Sequence, residues 1–166
     1  GVWKSNLRQL AEERADERGI ELRDIRAREA GMNDGTPDPD RVELTVTTYD
    51  AAGGTEHFLA FEDPVEDLLV GFCRLRFPNE PVRRELGDAA IVRELHVYGS
   101  EAGIGSGEGE WQHKGYGRRL IRRAEELAAD AGYGTLAIIS GIGAREYYRR
   151  KLGYRQDGPY VSKQLE

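Results

Sequence analysis

Apolar and polar positions follow two periods along this chain, and the switch between them marks out its elements. Leu7, Leu10, Ala11 and Ala15 fall at helical spacing, which predicts an amphipathic helix over about residues 5–18, ended by Gly19. Residues 21–29 set Leu22, Ile25 and Ala27 among Arg23, Arg26 and Arg28, an extended and partly basic segment. Gly, Pro, Asn and Asp crowd residues 32–40, a loop composition. Val42, Leu44, Val46 and Thr48 alternate and predict a strand over 41–49. Ala51-Ala52-Gly53-Gly54 reads as a hairpin turn into a second strand near 56–61. A third strand is predicted over 68–77, stopped by Pro78. The fourth, over 90–98, is almost continuously apolar yet carries Arg93, Glu94 and His96. Leu120, Ile121, Ala124, Leu127 and Ala128 line one face of a helix predicted from about Gly117 to Ala131. A short buried strand at 135–140, a helix at 144–152 ended by Gly153, and strands over 154–165 around Asp157-Gly158 complete the chain. This order predicts an α/β (α+β) sandwich with a mixed sheet.

A chain of 166 residues, 39% apolar, suits one globular domain with a single core. No apolar run approaches the ~18 residues of a membrane span, and the polar first 20 residues lack signal-peptide architecture. The single cysteine, Cys73, rules out a disulfide framework, a zinc ribbon and a three-cysteine iron–sulfur site within these residues. A reducing, cytoplasmic setting and no membrane association are therefore expected. With no base beside it in sequence, Cys73 reads as a small buried hydrophobe. The net charge of −6 gives no overall basic surface for nucleic acid. Twenty of the 24 cations are arginines, and with the negative net charge any phosphate-binding surface is local. The chain begins at Gly1, and a domain of a longer protein is expected.

The chemistry concentrates in Gln112-His113-Lys114-Gly115-Tyr116-Gly117, between a buried strand and an amphipathic helix. Gly115 and Gly117 carry no Cβ, so an anion can approach the backbone there. The helix that follows leaves its first N–H groups unpaired and presents partial positive charge. Such a turn receives a phosphate or pyrophosphate, and Lys114, Arg118 and Arg119 add charge at the same end. A plain tight turn entering a helix is the alternative. There is no Gly-Lys-Ser/Thr of a P-loop, and Leu120 stands where a dinucleotide fold needs its third glycine. Glu94 and His96 lie two apart on a strand and share a face. Either can serve as a base, His96 being better matched to neutral pH. The alternative is a Glu94 paired with a nearby arginine beside a His96 that is a satisfied polar core residue.

The Gly115–Gly117 segment resembles the acyl-CoA signature of the GNAT acetyltransferases, Gln/Arg-x-x-Gly-x-Gly/Ala. Further stretches resemble the acetyltransferase domain of the Elongator catalytic-subunit family. They are Glu94-Leu95-His96-Val97-Tyr98-Gly99-Ser100, Trp111-Gln112-His113, Ile139-Ser140-Gly141-Ile142-Gly143, Tyr147-Tyr148-Arg149-Arg150-Lys151-Leu152-Gly153-Tyr154 and Gly158-Pro159-Tyr160-Val161-Ser162-Lys163. Near the start, Ser5-Asn6-Leu7-Arg8-Gln9-Leu10 and Arg23-Asp24-Ile25-Arg26-Ala27-Arg28-Glu29 resemble the segment joining that domain to a radical half.

The resemblance implies a GNAT fold, a mixed and mostly antiparallel sheet splayed between two central strands and flanked by helices. Residues 1–31 would lead toward a missing radical S-adenosylmethionine domain, and 32–166 would form the GNAT domain. The implied co-substrate is acetyl-CoA, held by Glu94, Leu95, His96 and Val97, by Trp111, Gln112 and His113, by the turn Lys114, Gly115, Tyr116, Gly117 and Arg118, and by Tyr148. Tyr148 is expected to donate a hydrogen bond to the leaving sulfur. Neighbouring helical residues point about 100° apart, so one of Tyr147 and Tyr148 should pack inward. The glycine-rich loop 99–110 is long for a strand–helix connection, and either gates the site or is a solvated insertion. From the residues alone Arg8, Arg14, Arg23, Arg26 and Arg28 suit a solvated strand as well as RNA phosphates, and the resemblance implies contact with transfer RNA. The implied whole protein makes 5-carboxymethyluridine at the wobble position of transfer RNA, with iron–sulfur cluster and S-adenosylmethionine in the missing half. A free-standing GNAT acting on protein lysine or a small amine, and a non-catalytic acetyl-CoA-binding module, are the alternatives. Monomer and homodimer both remain open.

Overall fold

The computed structural model describes residues 6–31, 35–81, 83, 86–98 and 115–166. Helix α1 (Leu7–Asp16) and a 3-10 turn (Ile25–Arg28) precede β1 (Glu43–Asp50), β2 (Gly54–Asp63), β3 (Leu68–Pro78) and β4 (Ala90–Val97). Helix α2 (Tyr116–Asp130), β5 (Thr135–Ile138), a 3-10 turn (Ile142–Ala144), α3 (Arg145–Leu152), β6 (Arg155–Asp157) and β7 (Tyr160–Gln164) follow. The seven strands form one sheet in the order β1-β2-β3-β4-β5-β7-β6. Every pairing is antiparallel except β4 with β5, which is parallel. Among the described residues no helix is long and apolar enough to cross a membrane.

The parallel pair makes the fold's break. It registers Ala90, Ile91 and Val92 with Leu136, Ala137 and Ile138, and one further bond runs from Ile139 N–H to Val92 O at 3.0 Å. Beyond that rung β4 continues alone to Val97, paired only with β3. Strand β5 ends at Ile138, two residues before the expected end, because residues 139–141 turn away into the 3-10 segment.

The core lies between the sheet and α2. Leu120, Ile121, Ala124 and Ala128 bury the predicted apolar face of α2 against Leu59, Cys73, Leu75, Val92 and Leu136. The opposite face of the sheet carries a smaller cluster, Ala60, Leu69 and Phe72, with Ile25 and Phe58 against it. The expected extended segment 21–29 contains the 3-10 turn instead, because Asp24 caps it by accepting from the Arg26 N–H at 3.0 Å. Ala30 then joins the sheet through its N–H to Leu69 O at 2.9 Å. Of the apolar stripe of α1 only Ala15 is buried, outside both core clusters, and Leu7 is exposed.

One ion cluster crosses three strands. Glu56 on β2 is 1% exposed, and its Oε1 accepts from Arg76 of β3 at 2.9 Å and from Arg93 of β4 at 2.7 Å. Arg76 also donates to Ala51 O and Ala52 O, which braces a hairpin turn whose Ala52 has φ 44°. Burial acts to raise the Glu56 carboxyl, but the two arginines outweigh it and hold the group below its ordinary value. Asp63 is likewise held down against its burial, by the backbone N–H groups of Asp38, Glu66 and Val65 and the charge of Arg41. Burial lowers His57, and its Nε2 has no partner among the described residues.

All three shifts have the same sign in linkage. The unfolded chain binds more protons than the folded chain as pH falls from about 6.5 for His57 and from about 4 for the carboxylates. Stability to urea should therefore be flat above neutrality, and its midpoint should drop in two stages on acidification. A midpoint unchanged from pH 8 to pH 4 would remove this account. Gly71 of β3 faces Val97 of β4, and an added Cβ would lie 2.8 Å from His96 O and 3.1 Å from the Val97 Cα. Gly71→Ala should cost about 1–3 kcal/mol in urea unfolding, because backbone cannot yield as a side chain can.

Candidate functional site

The site is built where β4 has lost its partner. A register shift between Arg74 and Leu75 makes Arg93 an extra residue in β4. Val92 points into the core, Arg93 reaches Glu56 and Glu94 reaches Arg74 on the opposite face, and Leu95 returns to the core side. The backbone is reversed along with the side chains. Tyr98 donates its N–H to Val70 O on β3 at 2.9 Å. Strand alternation then turns Glu94 and His96 toward β3 and leaves the peptide groups of Leu95 and Val97 facing the gap beside β5. These are main-chain groups with no strand to receive them.

Helix α2 starts beside the end of this free edge. Gly115 is its N-cap in the left-handed region, φ 70°, and its carbonyl accepts from Arg119 N–H at 3.0 Å. The N–H groups of Tyr116, Gly117 and Arg118 precede the first intrahelical bond. Gly117 faces both walls of the gap, since a Cβ there would lie 3.5 Å from Val97 Cγ2 and 3.7 Å from the Tyr147 hydroxyl. A bare backbone, the positive end of a 15-residue helix and a hydroxyl thus converge at one point.

Tyr147 and Tyr148 divide as adjacent helical residues should. Tyr147 is half-exposed and stands at the cradle, whereas Tyr148 is buried and packs edge-on against Tyr154. From α3, Tyr148 reaches beneath the gap toward Cys73 on β3. Burial above all, with lesser contributions from Cys73 and Tyr147, pushes its phenol up to about 12. Burial also pushes the Cys73 thiol up to about 12, so it remains protonated and is no nucleophile. The Ser140 hydroxyl, where the chain leaves β5, is buried without a partner among the described residues.

On the other face Glu94 joins two residues. Its Oε2 accepts from Arg74 at 3.3 Å, and its Oε1 lies 3.3 Å from His96 Nε2. His96 stacks on Phe72 and is otherwise open to solvent. Glu94 is thus ion-paired as the alternative expected, whereas His96 is 55% exposed and is not the polar core residue of that alternative.

The other expected site residues sort as follows. Leu95, Val97, Gly115 and Gly117 meet at the gap. Tyr116 is buried against Phe61, so only its backbone can serve a ligand. Arg118 is exposed at the helix start. Arg119 instead lies over the Phe61 ring at 4.3 Å, which takes it away from the cradle. Trp111, Gln112, His113, Lys114 and the loop 99–110 lie outside the described residues. Arg8, Arg14, Arg23 and Arg28 each hold a carboxylate of the chain itself, with the Arg28 pairs to Glu62 and Asp67 both at 2.8 Å. No site role for Tyr147, Ser140, Arg122 or Lys151 is read from the sequence. Arg118, Arg122 and Lys151 line a cleft of about 210 Å³ between α2 and α3. Its fourth cation, Lys163, is held by Glu125 at 2.9 Å. The spacing of Arg118 and Arg122 on one helix was the available signal.

Comparison with known proteins agrees with this geometry. The family model described as acetyltransferase (GNAT) family matches residues 20–154. The chain is 44% identical over 173 residues to the tRNA uridine(34) acetyltransferase of Methanocaldococcus infernus, covering 99% of this chain and 32% of that protein. It is 47% identical over 172 residues to Elongator complex protein 3 of Bos taurus, covering 100% of this chain and 31% of that protein. Among solved structures, archaeal Methanocaldococcus infernus Elp3 with an N-terminal deletion superposes with a TM-score of 0.85 at 43% identity, over 99% of this chain and 40% of that one. The chain thus spans about a third of the curated relatives it matches. A sheet opened between two parallel strands and closed by a glycine-started helix is therefore no isolated likeness, and the chain belongs to the GNAT family of acetyltransferases.

Proposed function

We propose that this chain is the acetyl-CoA-binding acetyltransferase domain of an Elongator-type enzyme that modifies the wobble uridine of transfer RNA. The observation that carries the reading is the continuity of one unfilled backbone surface. It runs from the Gly117 cradle along the free edge of Val97 and Leu95 to the last β4–β5 rung. Five residues of strand separate Val97 from Val92, about 16 Å. That span suits an extended pantetheine arm, with its diphosphate on the amides of Gly117 and Arg118 and its amides paired to β4 as an added strand. Ser140 supplies a hydroxyl that still needs a partner. Arg118, Arg122 and Lys151 can face the remaining phosphate.

The residues around that path have distinct tasks in this reading. Tyr148, protonated across the working pH range, donates toward the sulfur as the thioester opens. Tyr147 closes the cradle. His96, oriented by Glu94 and stacked on Phe72, accepts a proton from an attacking water or acceptor.

The relatives' name tRNA uridine(34) acetyltransferase supports a transfer RNA substrate and an acetyl unit; a cytoplasmic enzyme working toward 5-carboxymethyluridine rests on the sequence resemblance. The radical step belongs to the part of such a protein that these 166 residues do not include. Their one cysteine, buried Cys73, cannot supply three thiolates for a cluster.

Calorimetric titration with acetyl-CoA, followed by thioester cleavage with and without transfer RNA, tests the reading. Binding plus RNA-stimulated cleavage is expected. Acetylation of peptides without RNA would favour a free-standing lysine or amine acetyltransferase. Binding with no cleavage under any condition would leave only a ligand-holding module.

Two variants probe the parts. At Gly117 the neighbours leave room for a Cβ, and an acidic residue suits a helix start, so Gly117→Glu should fold normally. Its carboxylate would occupy the anion seat, and no heat of acetyl-CoA binding should remain; unaltered affinity would displace the seat from α2. Tyr148→Phe should slow cleavage by about 10²-fold while changing affinity far less. Because the phenol sits near 12, the wild-type rate should show no alkaline fall from this group below about pH 10. Equal rates for both proteins would take the donor role away from Tyr148.

A further inference from the structure

The sheet ends in two edges of different kinds. At one end stands β6, three residues long, with Pro159 just past it. A short strand with a proline close by discourages further strands from adding to it. The other edge is β1, eight residues in unbroken register with β2 from Glu43–Glu62 to Asp50–Thr55. It carries no lysine, no proline and no bulge, and Thr45, Val46, Thr47 and Thr48 fill its middle with β-branched residues. Val46 and Tyr49 are each 40% exposed, and among the described residues no strand pairs with its outer side.

The β1–β2 hairpin decides which peptide groups point outward. Ala51 donates its N–H to Gly54 O at 2.9 Å, so the alternate pairs Tyr49–Glu56, Thr47–Phe58 and Thr45–Ala60 are the hydrogen-bonded ones. The N–H and C=O groups of Leu44, Val46 and Thr48 therefore face away from the sheet.

We propose that this edge pairs with β1 of a second copy, antiparallel about a two-fold axis at Val46, joining two seven-stranded sheets into one. The outward groups restrict the register, because Leu44, Val46 and Thr48 must meet one another. An axis at Val46 pairs the strand from Glu43 through Tyr49. It sets Val46 against the partner's Val46, Leu44 against the partner's Thr48 and Thr45 against the partner's Thr47. Glu43 falls opposite the partner's Tyr49, so no two carboxylates face each other. Arg74 bonds the Tyr49 side chain, which leaves the phenol's own hydrogen to donate to that carboxylate. An axis at Thr45 would pair only Glu43 through Thr47. An axis at Thr47 would set Leu44 against the partner's Asp50. Leu44 already packs on the core under α2, and Val46 lies on the same face, so the seam extends an apolar layer. The seam is narrow and each copy carries a net charge of −6, so the dimer is a weak one. Strand β4 lies three strands in from the seam, so the pairing neither uses nor blocks the β4–β5 gap, and it stands apart from the acetyl-CoA reading.

Sedimentation equilibrium of this chain from micromolar to millimolar concentration tests the seam. A monomer–dimer equilibrium is expected, and it should tighten as salt rises, because screening relieves the repulsion between two acidic copies. Val46→Lys sets two ammonium groups face to face at the axis and removes the apolar contact there. It should raise the dissociation constant about tenfold with an unchanged circular dichroism spectrum. Val46→Cys reads the register directly and does not depend on the lysine variant folding. Directly opposed Cα atoms stand about 5.5 Å apart, within reach of a disulfide, so mild oxidation should give a covalent dimer. Thr48→Cys would hold its two thiols on Cα atoms at least about 13 Å apart and should stay uncrosslinked. Buried Cys73 offers no competing thiol. A chain that remains monomeric throughout overturns the proposal and leaves the edge to an extended segment of another protein. A dimer untouched by Val46→Lys, or one that Val46→Cys crosslinks no better than Thr48→Cys, overturns it as well.

Discussion

One oxygen of one buried carboxylate, Glu56 Oε1, ties three strands together, and the shape of the site follows from it. The carboxylate draws Arg76 and Arg93 to the same face of the sheet. Arg93 is the extra residue of β4, so fixing its side chain fixes the bulge. Without the inserted residue, strand alternation would turn Leu95 and Val97 toward β3, and their peptide groups would be consumed there. With it, they face the gap. The cost of burying Glu56 is met by two charge-assisted bonds, which is also why its carboxyl lies below its usual range despite its surroundings. Glu56 Oε2 is left without a partner among the described residues, so the cluster depends heavily on its other oxygen.

The architecture was largely legible because most of it rests on periodicity. The strand at 68–77 and the apolar face of α2 are set by which residues must leave water, whereas β1 forms where alternation predicts it although Val46 stays exposed. The bulge was not legible. Arg93 and Glu94 are two consecutive polar residues in a mostly apolar strand, and nothing in the string says that both point to one face. Glu56 and His57 also look like ordinary strand residues, one on each face. Only their neighbours in space make them buried groups with shifted titration. The 3-10 turn over Ile25–Arg28 was hidden for a different reason: a single local hydrogen bond from the Arg26 N–H to Asp24 outweighs the extended pattern of the segment.

The candidate site was legible in its backbone and less so in its side chains. Gly115 and Gly117 announce the cradle because only bare backbone serves there, and the structure brings Gly117 to Val97 as that chemistry requires. Arginines could not be assigned from sequence. Arg119 goes to an aromatic ring, while Arg8, Arg14, Arg23 and Arg28 go to the chain's own carboxylates. The net charge of −6 helps to explain this, since acidic residues outnumber basic ones and most cations find an internal partner. The tyrosine pair was readable only as a pair, and packing decided which member turned inward.

The bulge also divides the two faces of the sheet between two kinds of chemistry. On the α2 face the gap offers peptide groups, a helix terminus and phenols, all suited to holding a ligand whose recognition needs no charge change. On the opposite face Arg74, Glu94, His96 and Arg93 stand together, and every one of them is charged or able to become so. A thioester lying between the strands would be reached by hydrogen-bond donors from one side and by a base from the other. Both sets of groups are aimed by the same inserted residue. A change that straightened β4 would therefore not weaken one function and spare the other; it would turn the free edge toward β3 and carry Glu94 and His96 together off the face they share with Arg93.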